Sequence, residues 1–264
     1  MENKIAIVTG GSSGIGRCTA KALCNKGIKV YEFSRRDIPL EGVTHITADI
    51  TDENAVIEAA KKVEDAEGRI DILINCAGFG ISGAVEFTQL TQAKSQFDVN
   101  FFGMVNVTKA VIPVMRKNKS GRIVNISSVA AVAHIPFQTY YSASKAATES
   151  YSFALANEIK PFGISVTAIQ PGDICTGFTC ARDKSFDGDD VYEGRIAESV
   201  SRMEKDEEKG MSPEAAGEYI AKIALKKKVK PVYAIGTVYK ALCILCKIFP
   251  AGVRNSIVGM MYAK

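Results

Sequence analysis

Lys4-Ile5-Ala6-Ile7-Val8-Thr9 continues directly into Gly10-Gly11-Ser12-Ser13-Gly14-Ile15-Gly16. The β-branched run predicts a buried strand, and the residues after the glycines predict a helix that begins at the turn. Glycines let the backbone approach a pyrophosphate, and a helix N-terminus offers free N–H groups to it. We therefore interpret the stretch as a nucleotide-binding turn. Because its spacing is Gly-x-x-x-Gly-x-Gly, an ordinary tight turn stays open on these residues alone.

The same alternation of strand and helix continues along the chain. Longer helical patterns separate the β-branched runs, and Thr51 and Ser212 are predicted N-caps. The pattern predicts a single-domain, doubly wound α/β fold over residues 1–236, with seven parallel strands and helices on both faces. The six further strands are expected at 29–34, 44–48, 70–75, 122–127, 164–170 and 231–235.

Two regions depart from this pattern. Residues 173–210 are polar and charged around an amphipathic stretch at 191–202. Because ligands in this fold bind outside the carboxyl ends of the strands, we expect a substrate lid there, with a solvated loop as the alternative. Residues 237–264 form an apolar tail that is expected to be helical. The tail is expected to pack on a pocket or another subunit, with peripheral membrane contact, aided by the lysines at 226–230, as the alternative.

Composition limits the classes of function. With 264 residues, 47% of them hydrophobic, the chain can close one core without metals. The net charge of +4, from 33 basic and 29 acidic residues, shows no basic stripe, so nucleic acid is not an expected partner. Seven cysteines and no leader pattern indicate a reduced, cytoplasmic protein. Cys243-x-x-Cys246 lies in an apolar stretch without a second pair or a histidine, so it predicts packing and no metal site.

Further motifs follow the glycine turn in a fixed order. Together they resemble the short-chain dehydrogenase/reductase family to about residue 235, with Cys76 in place of a usual asparagine. The resemblance implies a Rossmann-type fold, a nicotinamide cofactor, hydride transfer and a homo-oligomer, either dimer or tetramer. The motifs are Ala48-Asp49-Ile50, Asn75-Cys76-Ala77-Gly78, Asp98-Val99-Asn100, Asn125-Ile-Ser-Ser128, Tyr141-Ser-Ala-Ser-Lys145, and Pro171-Gly172 followed by Ile174 and Thr176.

Cofactor choice depends on the end of the second strand. NAD enzymes place an acidic side chain there, whereas this chain has Ser34-Arg35-Arg36, and two guanidiniums suit a 2′-phosphate. NADP(H) is therefore predicted, although Glu32 and Asp37 flank the position and leave NAD open. The resemblance implies the remaining cofactor-binding residues, which are Gly10, Ser12, Ser13, Gly14, Ile15, Gly16, Asp49, Ile50, Asn75, Ala77, Gly78, Asn100, Tyr141, Lys145, Pro171, Gly172, Ile174 and Thr176.

Tyr141 and Lys145 are the candidate proton-transfer pair. They are four residues apart and share one face of a predicted helix. A phenol has a pKa near ~10, and a neighbouring ammonium would lower the pKa of Tyr141, making it the acid in reduction or the base in oxidation. Ser128 would hydrogen-bond the substrate oxygen. The resemblance implies that Lys145 also holds the nicotinamide ribose and that Asn100 positions a water. Family spacing selects Tyr141 and Ser128 over Tyr140 and Ser127.

The substrate is predicted to be bulky and hydrophobic. The apolar tail and the apolar residues expected near the site favour a ketone or alcohol, with a hydroxysteroid or bile-acid-type sterol as first choice. A 3-oxoacyl thioester or acyl-dihydroxyacetone-phosphate reductase is the alternative. A non-catalytic nucleotide-binding regulator is a second alternative, which has no evident need for a lysine-tuned phenol. The residues expected to contact substrate are Ser128, Tyr141, Phe79, Ile135, Phe137 and Phe178, with Ile81 nearby.

Overall fold

Nine strands organise the computed structural model, which describes residues 4–263. Seven of them form one parallel sheet in the order β3-β2-β1-β4-β6-β7-β9, and β5 pairs with β8 in a separate parallel ribbon. The strand order reverses between β1 and β4, which is where ligands bind in such sheets. The bounds are β1 (Ile5–Thr9), β2 (Lys29–Ser34), β3 (Val43–Thr47), β4 (Ile72–Asn75), β5 (Ile81–Ser82), β6 (Gly121–Ile126), β7 (Ile164–Pro171), β8 (Asp183–Lys184) and β9 (Val232–Ile235).

Helices cover both faces of the large sheet, as the alternation predicted. A π-helical turn at Asp98–Gly103 and short 3₁₀ turns at Val129–Ala131 and Lys160–Phe162 interrupt them. The helices are α1 (Gly14–Cys24), α2 (Glu53–Glu67), α3 (Leu90–Phe97), α4 (Met104–Lys117), α5 (Thr139–Glu158), α6 (Phe178–Ala181), α7 (Arg195–Glu208), α8 (Pro213–Ala224), α9 (Thr237–Ile248) and α10 (Ala251–Tyr262).

The core lies in two layers, one on each face of the sheet. Helices α2, α4 and α5 cover one face, where Phe33 and Leu73 are fully buried. Helices α1 and α8 cover the other, and they pack so closely that a Cβ on Gly217 would lie 2.6 Å from the Cys18 carbonyl carbon. Every residue of β1 and β4 is buried, which explains why their sequences are continuously apolar and not alternating. The chain is a single-domain, Rossmann-like α/β protein.

Two local predictions need correction and one is confirmed. Asp52, not Thr51, caps α2 by accepting from the backbone N–H groups of Asn54 and Ala55. The Thr51 hydroxyl instead donates to Asp49 at 2.7 Å. Ser212 caps α8, as expected, by accepting from Ala215 N.

The amphipathic helix expected at 191–202 forms later, at Arg195–Glu208. Its start is set by Gly194 in the left-handed region and by the Asp189 carboxylate, which accepts from Ile196 N at 2.9 Å and Ala197 N at 3.1 Å. The side-chain cap therefore comes from seven residues upstream of Ile196, a distance that a search for an adjacent capping residue does not detect.

The tail residues fold back onto the rest of the chain as α9 and α10. Cys243 and Cys246 are free thiols buried on the inner side of α9, where they pack with Val129 and Ala133. None of the helices in residues 4–263 is long and apolar enough to cross a bilayer. Within the same residues no group of three or more potential metal-ligating side chains occurs.

Candidate active site

The glycine turn between β1 and α1 is held tightly against the end of β4. Gly10 has φ +70°, and a Cβ there would lie 2.8 Å from the Ala77 Cα. A Cβ on Gly16 would collide with the Gly10 carbonyl oxygen. Gly14 also has positive φ (+53°), and it opens α1. These glycines therefore shape a cradle at a helix N-terminus, which suits a pyrophosphate.

Hydroxyl groups fix this turn to the neighbouring strand. Thr9 Oγ1 accepts from Cys76 N at 3.0 Å and Ala77 N at 3.1 Å, which joins the ends of β1 and β4. Ser12 is buried in the turn, whereas Ser13 is exposed at the N-cap position of α1. Ile15 packs on the core behind the turn. The turn is thus rigid on its inner side and open toward solvent at Ser13.

The two arginines after β2 lie at the rim of this cradle. Arg36 Nη2 is 3.4 Å from Ser12 Oγ and 3.5 Å from Ser13 Oγ. The Ser34 hydroxyl supports this placement by donating to the Arg36 carbonyl at 2.9 Å. Arg35 is mostly exposed, 4.0 Å from Asp49. Two cations therefore flank the position that a ribose 2′-phosphate would take.

Two charged residues near the cradle, Glu32 and Arg17, form hydrogen bonds within the chain. Glu32 is buried beneath the turn, where its carboxylate meets His45 Nδ1 and accepts from Ser34 Oγ. Both of these contacts use Oε1, and the second carboxylate oxygen, Oε2, is buried without a hydrogen-bond partner among the described residues. The Arg17 guanidinium donates to the carbonyls of Ile38 and Pro39. It thereby holds the loop after β2 in place.

An open cleft of about 480 Å³ lies beyond Arg35, at the adenine end of the cradle. Burial raises the pKa of Asp49, but hydrogen bonds from Thr51 and the charge of Arg35 outweigh it, so this pKa lies below its ordinary value. Ile50 is buried with its side chain against Gly103. The cleft is lined by Arg35, Asp49, Thr51, Ser95, Asp98, Val99 and Phe102.

The motif after β4 divides into a structural and an exposed part. Asn75 is buried, and its amide donates to Thr108 Oγ1 at 3.0 Å and Asn125 Oδ1 at 2.9 Å. Its side chain therefore holds β4 to β6 and α4 and does not face the cradle. Gly78 is exposed, and a Cβ there would lie 3.0 Å from Asn100 Oδ1 and 3.6 Å from Lys145 Nζ. The backbone at Gly78 thus passes directly beside both predicted catalytic side chains.

Tyr141 and Lys145 project from the first two turns of α5 toward the end of β6. Lys145 Nζ lies 5.7 Å from the centroid of the Tyr141 ring and donates to the Ile126 carbonyl at 2.9 Å. Burial lowers the pKa of Lys145 to about 8. The helix therefore brings the predicted pair together, as their spacing indicated.

The electrostatics of Tyr141 correct the sequence-based expectation. Burial raises the pKa of Tyr141 to about 12, although hydrogen bonding to Ser128 and the charge of Arg182 act in the opposite direction. In this geometry desolvation therefore outweighs the stabilisation of phenolate that a lysine was expected to supply. Tyr141 carries its proton at neutral pH, which is the form an acid needs.

Neighbouring serines at the end of β6 have separate roles. Ser127 is buried, and its hydroxyl donates to the Lys145 carbonyl at 3.0 Å. Ser128 caps the following 3₁₀ turn by accepting from Ala130 N at 3.1 Å, and it is the serine hydrogen-bonded to Tyr141. Geometry thus selects Ser128 as the serine of the site, as family spacing implied.

Asn100 occupies the π-helical turn and clamps the backbone of Phe79. Its Oδ1 accepts from Phe79 N at 3.0 Å, and its Nδ2 donates to Phe79 O at 2.9 Å and to Ser144 Oγ at 3.2 Å. The amide is therefore fully engaged within the chain. A π-helical turn widens the local backbone and often occurs at functional sites. The predicted water beside Lys145 is not tested by this geometry.

An aromatic ring covers Tyr141 from residues 173–210, the segment that was predicted to be a substrate lid and is called the lid below. Phe178 in α6 lies 5.8 Å from the Tyr141 ring, centroid to centroid, and its edge approaches Gly80, where a Cβ would be 3.0 Å away. Thr176 fixes the start of this helix by accepting from Phe178 N at 3.1 Å, and a Cβ on Gly14 would lie 3.8 Å from the Thr176 Cβ. The lid therefore reaches both the predicted phosphate cradle and the predicted acid.

A buried ion pair holds this lid down. Arg182 is almost fully buried, and its guanidinium forms a hydrogen-bonded ion pair with Glu207 of α7. Gln138 accepts from Arg182 Nε at 3.1 Å when its amide oxygen faces the guanidinium. Arg182 Nη1 has no hydrogen-bond partner among the described residues. We refer to Arg182, Glu207 and Gln138 as the roof cluster.

The remaining predicted substrate residues divide between the lid interface and the site. Phe137 has φ +58°, and its ring packs 5.7 Å from Tyr192 of the lid. Phe137 and Ile135 belong to an apolar cluster with Ile196 of α7, so they pack against the lid. Their contact with substrate stays a prediction. Phe79 is half-buried beside Asn100.

The segment after β7 supports the lid from below. Pro171 ends the strand, and Gly172 lies directly under the Tyr239 ring, where no side chain would fit. Ile174 is buried in the core and bridges to Met211. Its side chain therefore serves packing, and only its backbone can reach the cradle.

Known proteins of similar sequence identify the family to which this site belongs. The family model described as short chain dehydrogenase matches residues 4–185. The chain belongs to the short-chain dehydrogenase family. A 3-ketodihydrosphingosine reductase from Bacteroides thetaiotaomicron is 43% identical over 230 residues, covering 86% of this chain and 86% of that protein.

Solved short-chain dehydrogenases share the fold. A short-chain dehydrogenase from Streptomyces avermitilis superposes with a TM-score of 0.84 at 29% identity, covering 98% of this chain and 95% of that one. The closed form of a serine dehydrogenase complexed with NADP⁺ superposes with a TM-score of 0.76 at 25% identity, covering 89% and 95%. The protein is thus an oxidoreductase of a family whose members bind NAD(P)(H). The glycine cradle, which a Cβ would fill, fits such a dinucleotide.

Two features of the site were not predicted from the sequence. They are the roof cluster and the hydrogen bonds that Thr9 accepts. Arg182 lies in a charged stretch, Ala181-Arg182-Asp183-Lys184, that is typical of a solvated loop. The sequence of α7 could have indicated the buried carboxylate. Helical spacing puts Glu207 on the same face as three apolar residues, which are Ile196, Val200 and Met203. That spacing places Glu207 on the buried face and implies a cationic partner.

Proposed function

We propose that this protein is an NADPH-dependent reductase of a ketone on a long-chain lipid, with a 3-keto sphingoid base as the first candidate substrate. The observation that supports it best is the assembly of Ser128, Tyr141 and Lys145 beneath the apolar ring of Phe178. The reverse dehydrogenation uses the same groups. A cytoplasmic location and a dimer or tetramer remain predictions from the sequence.

The side chains suit carbonyl reduction at neutral pH. The bound cofactor supplies a hydride to the carbonyl carbon. Tyr141, with a pKa raised to about 12, holds the proton that the carbonyl oxygen needs. Ser128 can donate a hydrogen bond to the same oxygen as negative charge develops on it. Lys145 stays charged below about pH 8 and stabilises the phenolate that remains after proton transfer.

The preference for NADPH rests on the two arginines at the cradle. Removal of Arg36 should weaken NADPH binding by about thirtyfold, because charge-assisted hydrogen bonds contribute about 2 kcal/mol, and it should leave NADH binding nearly unchanged. Arg17→Ala is the matched control, since that guanidinium bonds backbone carbonyls and should affect both cofactors equally. Fluorescence titration with each cofactor measures the difference. Equal losses in R36A would contradict the NADPH preference.

The choice of a sphingoid ketone follows from the similarity to the 3-ketodihydrosphingosine reductase. The roof cluster supports it, because a charged pair beside Tyr141 suits a lipid that carries polar groups next to its ketone. The hydroxysteroid and bile-acid substrates favoured by the apolar residues remain the second candidate class. Two of the residues predicted to contact such a substrate, Ile135 and Phe137, pack against the lid.

Initial rates of NADPH consumption test the proposal. The substrates to compare are a 3-keto sphingoid base, ketosteroids, oxo-bile acids, 3-oxoacyl thioesters and acyl-dihydroxyacetone phosphate. We expect the sphingoid ketone to react fastest and the Tyr141→Phe enzyme to be slower by about a thousandfold while still binding NADPH. If only the 3-oxoacyl thioesters react, the protein is a thioester reductase and the proposed lipid ketone is wrong. NADPH binding without any turnover would favour a non-catalytic regulator.

A further inference from the structure

The basic charge of the chain is segregated at its C-terminal end. Residues 225–264 contain eight of the 33 basic side chains and none of the 29 acidic ones. Residues 1–224 therefore have a net charge of −4, although the whole chain has +4. A cationic segment without acidic neighbours attracts anionic surfaces.

The same segment exposes large apolar side chains. On α9 the exposed fractions are 75% for Val238, 58% for Ile244 and 70% for Ile248. Large exposed apolar patches mark interaction sites in soluble proteins. Half of the large exposed apolar side chains among the described residues lie in α9, α10 and the turn between them, and these are Val238, Ile244, Leu245, Ile248, Phe249, Val253, Ile257, Met260 and Met261.

The opposite side of α9 is fixed to the protein. Cys243 and Cys246 are buried there, and Tyr239 lies against Gly172 and hydrogen-bonds Asp173. The exposed face is therefore presented by an anchored helix and not by a loose end. Lys240 and Lys247 on α9 are also exposed. Basic and apolar side chains on one amphipathic helix are typical of interfacial binding.

The tail also contacts the lid. Tyr262 of α10 hydrogen-bonds Asp206 of α7, and Arg195 donates to the Ala263 carbonyl at 2.8 Å. The tail thus packs beside the helix whose Glu207 holds the roof cluster. A surface that binds the tail is therefore brought next to α7 and the roof cluster.

We propose that the outer face of α9 and α10 docks onto the surface of an anionic lipid bilayer. A second copy of the chain is the competing occupant. A two-fold interface sets the same patch against itself, so it would bring cations together without any acidic residue of the tail to pair with them. An anionic bilayer neutralises those cations and accepts the apolar side chains. Charge complementarity therefore favours an anionic bilayer over a second copy of the chain.

Flotation of the full-length protein with lipid vesicles tests the proposal. One set contains phosphatidylcholine alone, and the other contains an equal mixture of phosphatidylcholine and phosphatidylglycerol. We expect binding to the anionic vesicles, weak binding to the neutral ones, and release at high salt, because salt screens the cations. Equal recovery with anionic vesicles and without vesicles would overturn the proposal.

Two double variants probe the two components of the surface. Lys240→Glu/Lys247→Glu should weaken binding to anionic vesicles by more than about tenfold, since each surface cation contributes about fivefold. Ile244→Ser/Ile248→Ser should weaken it by about tenfold or more through loss of apolar burial. The matched controls are Lys62→Glu/Lys94→Glu and Ile57→Ser/Leu90→Ser, which alter exposed side chains outside the tail and should bind as the wild type does.

Sedimentation and catalysis separate the alternatives. If the isoleucine variant changes a dimer into monomers while vesicles never bind, a second copy covers the face and the proposal fails. Thermal unfolding of each variant establishes that the fold is intact. NADPH turnover of a water-soluble ketone, measured without vesicles, reports on the proposed reductase activity alone. Its loss or retention is therefore independent of the docking result.

Discussion

The glycine cradle and the roof cluster are built by different kinds of interaction. The cradle is formed by backbone at Gly10 and Gly14, within a few residues of the strand that precedes it. The roof depends on Arg182 and Glu207, which are 25 residues apart and belong to different elements. The cradle is thus specified locally, and the roof exists only after α7 has packed over the site.

This difference predicts which substitutions disrupt the cradle and which disrupt the roof cluster. An added side chain disrupts the cradle, because its backbone segments lie in direct contact. Loss of one charged partner damages the roof, because the remaining charge stays buried. Substitutions in the two halves should therefore produce different phenotypes, global instability in one case and an open lid in the other.

The largest effect is expected from Arg182→Met. This change leaves the mostly buried Glu207 carboxylate with the Thr179 hydroxyl but without its cationic partner. Loss of one partner of a buried ion pair typically costs about 3–5 kcal/mol. We expect faster hydrogen exchange in α7, which reports lid opening, together with a lower kcat/KM for the lipid ketone. Cofactor binding at the cradle should change much less.

Lys184→Met is the matched control for this variant. The Lys184–Glu204 pair also joins the lid strand to α7, but both side chains are about one quarter exposed. An exposed pair contributes less than about 1 kcal/mol, so this variant should exchange nearly as the wild type does. The double variant Arg182→Met/Glu207→Gln should recover part of the loss. Identical exchange in R182M and K184M would show that the roof cluster does not hold the lid.

The sequence predicted the cradle and the sheet because their determinants are local. Continuous apolar runs identify β1 and β4, and glycine is required where Gly10 approaches Ala77. Four-residue spacing placed Tyr141 beside Lys145. These features depend on backbone geometry and short-range periodicity, which a single sequence displays directly.

The roof and the pKa of Tyr141 were not predictable in the same way. Arg182 has charged neighbours in sequence, and its burial follows only from the packing of α7. The direction of the Tyr141 pKa shift depends on how much water the lid excludes, which spacing alone does not reveal. Phe137 was expected to contact substrate, and in the structure its ring packs against Tyr192 and the apolar cluster of α7, which are distant in sequence.

Gly10→Ala in the cradle is expected to have an intermediate effect, a loss of folding stability that is not confined to the lid. The new Cβ would meet the Ala77 backbone at 2.8 Å in a left-handed conformation, so we expect about 3 kcal/mol of destabilisation. Gly27→Ala is the control, because Gly27 also has positive φ (+76°) but nothing within 4 Å of its Cβ position. It should lose only about 1 kcal/mol. Denaturant midpoints measure both, and equal losses would show that crowding at Ala77 is unimportant.

The smallest effect is expected from pH, and it tests the boundary between cradle and roof at Lys145. Burial lowers the pKa of Lys145 from 10.5 to about 8, so its ammonium is lost as pH rises through 8. Because reduction leaves a phenolate on Tyr141 that this charge stabilises, the reduction rate should fall by about twofold at pH 8 relative to pH 7.

Folding stability should respond in the opposite direction to the rate. Between pH 8 and 10.5 the unfolded chain holds a proton on Lys145 that the folded chain has released, so this residue's contribution to the free energy of unfolding rises with pH. The difference in unfolding free energy between wild type and Lys145→Met isolates that contribution from other titrating groups. A rate that falls while this difference rises assigns both effects to Lys145. If the difference stays flat across this window, the ammonium is not desolvated, and the pH dependence of the rate must come from another group.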